Sequence, residues 1–241
     1  MDVLTQSTLE ADAEFGVAGN VGETAEAIPS SRPGTAAPTF YQRTGKRLLD
    51  ILLGTVLFIV FLPIMAVAAL AVLVLSGRPI FYRGRRLGRY GRPFGMLKFR
   101  TMARNADAVL SELLRTNPVL LDEYRKILKL RHDPRRTRVG TILRKLSIDE
   151  LPQLWHVITG EMSLVGPRPY AVGEVGLLSG RPEILMLTPA VTGPWQVRGR
   201  NGLPSKIRIA LDAQYVSDIT LAGDLRYLVA TLKCLACANG H

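Results

Sequence analysis

The sequence predicts an α-rich α+β monotopic membrane protein: a Pro-broken, re-entrant membrane helix followed by a small cytoplasmic domain of helices with a short β-hairpin. Three observations carry that expectation. Residues 51–75 run for 25 positions without a charge. Basic residues flank this run on both sides. Beyond it, leucines recur at helical spacing, and apolar and aromatic residues alternate around a Gly-containing turn.

Residues 1–42 are expected as a disordered tail: the first 40 hold six acids and one base, Arg32, are rich in Ala, Gly, Ser, Thr and Pro, and show no period. The segment 43–77 is the membrane element. As straight helix, 51–75 would reach about 37 Å against a hydrocarbon core of about 30 Å. Pro63 sits at its middle, where the missing N–H predicts a bend. Arg43, Lys46 and Arg47 precede the run, and Arg78, Arg83, Arg85, Arg86, Arg89 and Arg92 follow it. Positive charge holds a flank on the cytoplasmic side, so a straight span would misplace one end. A helix that enters, breaks at Pro63 and leaves on the same face satisfies both, and is preferred to a kinked single span. A signal peptide cleaved after Ala68 fits poorly behind a long, non-basic tail. Tyr41 to Asp50 reads as an interfacial helix with Asp50 paired to a base.

The remainder, 78–241, is the cytoplasmic domain. Pro79–Arg83 and Pro93–Arg100 read as two short strands or a hairpin, and 105–116, 118–131 and 137–146 as helices. From Pro167 to Pro204 the chain is rich in Pro and Gly and reads as surface loop. Helices are expected again from about Lys206 to Tyr215 and from Leu221 to Cys237.

Composition narrows the partners. The chain of 241 residues carries 31 Lys+Arg against 20 Asp+Glu and is 47% hydrophobic, which excludes a miniprotein and argues against an ordinary cytosolic globule. With the acidic tail set aside, a strong positive field remains, suited to phosphates, nucleic acid or acidic lipid. Cys234 and Cys237 make no disulfide framework, and their CxxC spacing lacks a second ligand pair, so they read as small apolar residues on a terminal helix. His132, His156 and Trp155 read as structural, and Asp133-Pro134 as a helix cap.

Ser147-Ile148-Asp149-Glu150 carries two readings. Ser-x-x-Glu before an apolar run is a capping box, with Ser147 as N-cap and Glu150 reaching back. Alternatively the adjacent carboxylates, about 100° apart on a helix, take separate jobs, one attacking phosphorus and the other holding a metal. The second gains from Lys98 and Arg100 in KFRTM, Arg144 just before the dyad, and Arg168 in Gly-Pro-Arg-Pro, which together could bind a pyrophosphate.

The ordered strings Lys46-Arg47-Leu48-Leu49-Asp50, KFRTM, DPRRTRVGTILRKLSIDELPQLWHVITGEMSLVGPRP (Asp133 to Pro169) and TGPWQVRGRN (Thr192 to Asn201) resemble the bacterial sugar transferases, the monotopic polyprenyl-phosphate phosphosugar transferases. The likeness covers about residues 43–235 and is closest to the short form, similar to exopolysaccharide production proteins of the ExoY kind. It implies that the residue matching Asp149 attacks a UDP-sugar, giving a phosphosugar-aspartyl enzyme and UMP. Undecaprenyl phosphate then accepts the phosphosugar. It further implies that Glu150 is associated with Mg²⁺, that Lys98, Arg144 and Arg168 hold phosphates, and that the site faces the cytoplasm at a bacterial inner membrane, with downstream glycosyltransferases as possible partners. Relatives commonly have Ser-Pro at the membrane break, whereas this chain has Leu62-Pro63. Two other readings stay open: direct transfer in a ternary complex with Asp149 as base or metal ligand, and a membrane-tethered basic binding protein for nucleic acid or acidic lipid. No nucleic-acid-binding fold is recognised, so nucleic acid is not the expected partner.

Overall fold

The computed structural model describes residues 37–127, 130, 133–198 and 204–236. Most of the expected tail, His132 and Cys237 lie outside them. The last residues assigned to the tail, Tyr41 and Gln42, are already in a π-helical turn, Tyr41–Gly45, that leads into helix α1, Lys46–Ser76.

The sequence of α1 is apolar on every side, yet the domain covers only one. Asp50, Gly54, Met65, Ala68 and Val72 are buried, with Phe58 and Phe61 half-buried between them. At the same helical period Leu52, Val56, Ile59, Pro63, Val67, Leu70 and Val74 are exposed. The covered stripe runs from residue 50 to 72, about 33 Å of helix. The expected break at Pro63 is corrected: α1 passes through it as one helix. Pro63 lies on the bare side, where its absent N–H removes one rung of the ladder while the opposite stripe stays packed.

Polar bonds fix both ends of α1 to the same domain. Arg47 donates to the carbonyls of Val157 and Ile158 at 2.6 and 2.7 Å. Asp50, expected to pair with a base, instead accepts from Ser163 Oγ at 3.1 Å and Leu164 N–H at 2.8 Å, because burial leaves backbone and hydroxyl donors as its nearest partners. Lys46 reaches Val165 O and the fully buried Asp224, which also accepts from Tyr41 and Tyr215 hydroxyls. At the far end the Arg100 guanidinium donates to the carbonyls of Ser76 and Gly77.

The expected hairpin is present: β1, Phe81–Leu87, pairs antiparallel with β2, Pro93–Phe99, placing Tyr82 opposite Lys98 and Arg86 opposite Phe94. Helices α2, Ala106–Thr116, α3, Pro118–Ile127, and α4, Arg138–Lys145, follow. Asp133, read as a helix cap, closes a turn onto Arg135 instead, and Thr137 caps α4 by accepting from Gly140 N–H at 2.9 Å. After a 3-10 turn at Ile148–Glu150 come α5, Gln153–Thr159, and β3, Ser163–Val165. β3 pairs in parallel with β4, Ala190–Thr192, inside the stretch read as surface loop. Three-residue strands carry too few alternations to show a period. Then come the short helix α6, Pro194–Arg198, and the expected terminal helices α7, Ser205–Ser217, and α8, Leu221–Ala236.

Two apolar clusters result. One joins Met96, Val157, Leu164, Ile184 and Tyr215, packing β2, α5, β3 and α7 together. The other sets Met65, Ala68 and Val72 of α1 against Phe99, Val139 and Leu143. The carboxylate turn lies between them, with Leu151 touching both.

Candidate active site

Glycine sets the approach of the first basic residue. A Cβ on Gly140 would lie 2.1 Å from Thr101 O, so α4 packs backbone to backbone on the segment leaving β2. That contact brings Arg144 Nε within 2.8 Å of Thr101 Oγ1. One turn later Ser147 adopts a left-handed conformation, φ 57° and ψ 19°, and its side chain caps nothing. The capping-box reading is thereby overturned. Glu150 does not reach back; its Oε1 pairs with Lys98 Nζ at 2.6 Å.

The two carboxylates sit in different environments. Asp149 is buried, at 7% exposure, while the Glu150 side chain is 44% exposed. Burial, and then the charge of Glu150, push the Asp149 carboxyl above the ordinary range, against the pull of Lys98 and Arg144. Burial likewise lowers Arg144, with Asp149 opposing. A poorly solvated carboxylate flanked by two cations is suited to attack a phosphorus whose charge those cations offset. Among the described residues no three His, Cys, Asp or Glu side chains gather into a metal cage. Mg²⁺ needs none, since it takes one or two carboxylates and fills its shell with water and substrate phosphates. The open Glu150 beside Asp149 fits that pattern.

Asp149, Glu150, Lys98 and Arg144 are therefore brought together. Arg100 is not among them: nine-tenths buried, it is spent on the C-terminal carbonyls of α1. Arg168 forms a second cluster. Its guanidinium lies over Trp195 and Tyr170, at 5.6 and 5.5 Å from the ring centroids, and pairs with Glu174 at 3.3 Å. Arg208 also lies over Trp195, at 5.7 Å. Arg86 joins the two clusters. Its backbone bridges Ala171, and its guanidinium, lowered chiefly by burial, stands in the field of Glu174, Arg168 and Glu150. Sequence reasoning missed Arg86, Trp195 and Arg208. Only the hairpin register, which puts Arg86 and Lys98 on one face, could have singled Arg86 out from its arginine-rich surroundings.

His156, read as structural, ties these parts together. It is buried, its Nε2 accepts from Leu97 N–H at 3.0 Å, and its Nδ1 lies 2.7 Å from Glu161 Oε2. This docks β2 onto α5 one residue from Lys98. Trp155 is half exposed and meets Phe58 of α1 at 6.1 Å between rings. Cys234 Sγ lies near Val197 O.

The family model described as bacterial sugar transferase matches residues 41–238. The chain is 39% identical over 221 residues to the exopolysaccharide production protein ExoY of Sinorhizobium fredii, covering 88% of this chain and 98% of that protein. It is 38% identical over 213 residues to the UDP-glucose:undecaprenyl-phosphate glucose-1-phosphate transferase of Caulobacter vibrioides, covering 85% and 74%. It is 40% identical over 196 residues to the undecaprenyl-phosphate galactose phosphotransferase of Salmonella typhimurium, covering 81% of this chain and 41% of that protein.

Proposed function

The chain belongs to the bacterial sugar transferase family, and on that premise we propose that it moves a sugar 1-phosphate from a UDP-sugar to undecaprenyl phosphate, releasing UMP. This is the first membrane step of exopolysaccharide or related glycan synthesis. The names of the Caulobacter and Salmonella relatives support donor and acceptor. The observation that carries the reading is the buried Asp149 beside the Lys98–Glu150 pair and Arg144.

In the first half-reaction an Asp149 carboxylate oxygen attacks the phosphorus that bears the sugar. The bond from that phosphorus to the bridging oxygen breaks, and UMP leaves with the electron pair. In the second, a phosphate oxygen of undecaprenyl phosphate attacks the same phosphorus and displaces Asp149, giving the diphosphate-linked lipid sugar and the free carboxylate. Splitting one displacement in two lets a water-soluble donor and a lipid acceptor use the site in turn. Lys98 and Arg144 hold the donor phosphates in line, and Lys98 exchanges part of its contact with Glu150 for a phosphate oxygen. Mg²⁺ held by Glu150 and the donor phosphates would offset charge on the leaving UMP.

The bare side of α1 supports membrane attachment. Leu52, Val67 and Val74 are each about 70% exposed on a helix whose other side packs on the domain. A face of that size calls for lipid. Arg47, Asp50 and Arg100 tie both ends of the unbroken helix to one domain, which supports α1 lying in the cytoplasmic leaflet of the inner membrane with its bare side in lipid.

The test is UMP release from a panel of UDP-sugars by the full-length protein in nanodiscs with undecaprenyl phosphate and Mg²⁺. Release with at least one sugar, absent in Asp149→Asn, is expected. Folded, membrane-bound protein that releases no nucleotide from any sugar nucleotide would contradict the reading.

A further inference from the structure

The C-terminal end of α1 carries positive charge that no acid meets among the described residues. Arg100 is 6% exposed, yet only its Nη2 is bonded, to the carbonyls of Ser76 and Gly77. Its Nε and Nη1 are buried without a partner among the described residues, and so is the Ser76 hydroxyl. A second guanidinium closes on the same point: Arg104 Nη2 lies 3.4 Å from the position that a Cβ on Gly77 would take. Burial, and then the charge of Arg104, push the Arg100 guanidinium below its ordinary range, with no carboxylate opposing them. Native structures leave few donors orphaned, and a buried charge without a counter-charge is costly.

What is left over selects the ligand. The free nitrogens of Arg100 and the guanidinium of Arg104 only donate, and the Ser76 hydroxyl can donate with them. A group that only accepts and carries negative charge matches this set, and two guanidinium forks suit the oxygens of a phosphate. The location narrows the choice. Val74 and Leu75, both exposed, directly precede Ser76 on the bare side of α1, and Phe81 and Tyr82 are exposed at the start of β1, aromatic rings of the kind that settle at headgroup depth. A molecule with both a phosphate and an apolar chain is held by both features; a free anion is held by one. The place is also distinct from the dyad. Thr101, the residue after Arg100, accepts from Arg144, which stands in the field of Asp149, whereas the one charge acting on Arg100 is Arg104. A phosphate held at Gly77 is therefore away from the reacting atoms.

We propose that Arg100, Arg104 and Ser76, gathered at Gly77, bind the phosphate of an anionic phospholipid whose acyl chains lie along Val74 and Leu75, and that this lipid holds the end of α1 at headgroup depth. The inference rests on the lipid contact of α1 proposed above and goes beyond the transfer reaction. The phosphate accepts from Arg100 Nε and Nη1 and from Arg104, so the repulsion between the two cations becomes shared attraction to one anion, while Arg100 Nη2 keeps its carbonyls.

Native mass spectrometry of the full-length protein released from nanodiscs of mixed phosphatidylcholine and phosphatidylglycerol reads the lipid it retains. The parent is expected to keep a single phosphatidylglycerol in preference to phosphatidylcholine. Arg104→Gln, at an exposed position that ties no element of the fold, is expected to weaken that retention about tenfold, the loss of one charge-assisted contact. Arg100→Lys, which keeps a charge and a donor for the α1 carbonyls but lacks the fork, is expected to do the same. Arg181→Gln, which removes an exposed arginine elsewhere on the domain, is expected to retain the lipid as the parent does. Equal retention by the parent and folded Arg104→Gln, or an equal loss in Arg181→Gln, refutes the site. Displacement of the phosphatidylglycerol by inorganic phosphate, or by equimolar undecaprenyl phosphate, assigns the place to a free anion or to the acceptor and overturns the proposal, while the membrane reading stands. A parent protein that does not stay in the nanodiscs overturns the membrane reading as well.

Discussion

The dyad cluster and the Trp195 corner are both basic, and they differ in how their charges are met. At the dyad, Lys98 is paired to Glu150 and Arg144 to Thr101 within hydrogen-bond distance, and the single buried acid, Asp149, sits between the two cations in the field of both. At the corner, Arg168 has Glu174, yet four polar atoms around it stay buried without a partner. The contrast separates the two ends of the hairpin: Lys98 is matched within the dyad cluster, while Arg86 leaves its Nε unpaired beside Arg168.

The largest way to break this division is at Asp149. Asp149→Asn keeps the shape and removes the nucleophile, so turnover is expected to fall by at least about a thousandfold with UDP binding unchanged, read by UMP release alongside calorimetry. Equal loss of binding would mean that Asp149 belongs to recognition. Lys98→Met comes next, with kcat reduced about a hundredfold, since one charged contact to the transferring phosphate is lost. Because Asp149 is raised by burial and by Glu150, the acid limb of kcat/KM lies above the ordinary carboxylate range in the parent. It falls in Glu150→Gln, which removes the repelling charge.

Stability sharpens the comparison from the other side. Burial raises the Asp212 carboxyl to about 6. Its unfolded counterpart ionises at the ordinary value, so the native state holds the proton more tightly and is favoured at low pH. That advantage is lost as pH rises through 6. The parent should lose up to about 3 kcal/mol relative to Asp212→Asn between about pH 4 and pH 7, measured by denaturant unfolding at each pH. A flat difference would show that Asp212 ionises at the ordinary carboxylate value in the fold. The smallest effect is at Ser147, whose left-handed backbone strains a side chain. Ser147→Gly should be stabilised by up to about 1 kcal/mol with activity within a few-fold, by thermal unfolding and UMP release.

The dyad was more legible in sequence than the corner, for a physical reason. Arg144, Asp149 and Glu150 lie within seven consecutive residues, so local geometry alone brings them near. Lys98 reaches them through a hairpin whose alternation was visible. Arg100, two residues further on, looked equivalent, but its role depends on which carbonyls its buried guanidinium meets, and those belong to α1. Ser147 fitted a capping box by spacing, while its positive φ is a tertiary outcome that no spacing reveals. The corner draws on β1, the loop after β3, α6 and α7, held by a parallel pair of three-residue strands. The hydrophobic length of α1 was plain, whereas its one-sided contact with the domain and the passage of the helix through Pro63 required the packing partners.

The proposed two-step transfer depends most on a covalent aspartyl intermediate. A rapid-quench measurement of UMP released from the preferred UDP-sugar in the absence of undecaprenyl phosphate addresses it directly. A burst of about one UMP per active site is expected, with the sugar phosphate left on the protein at Asp149 and then discharged when lipid is added. UMP that appears only when the acceptor is present, with no labelled protein, would contradict it and place both substrates on the enzyme together.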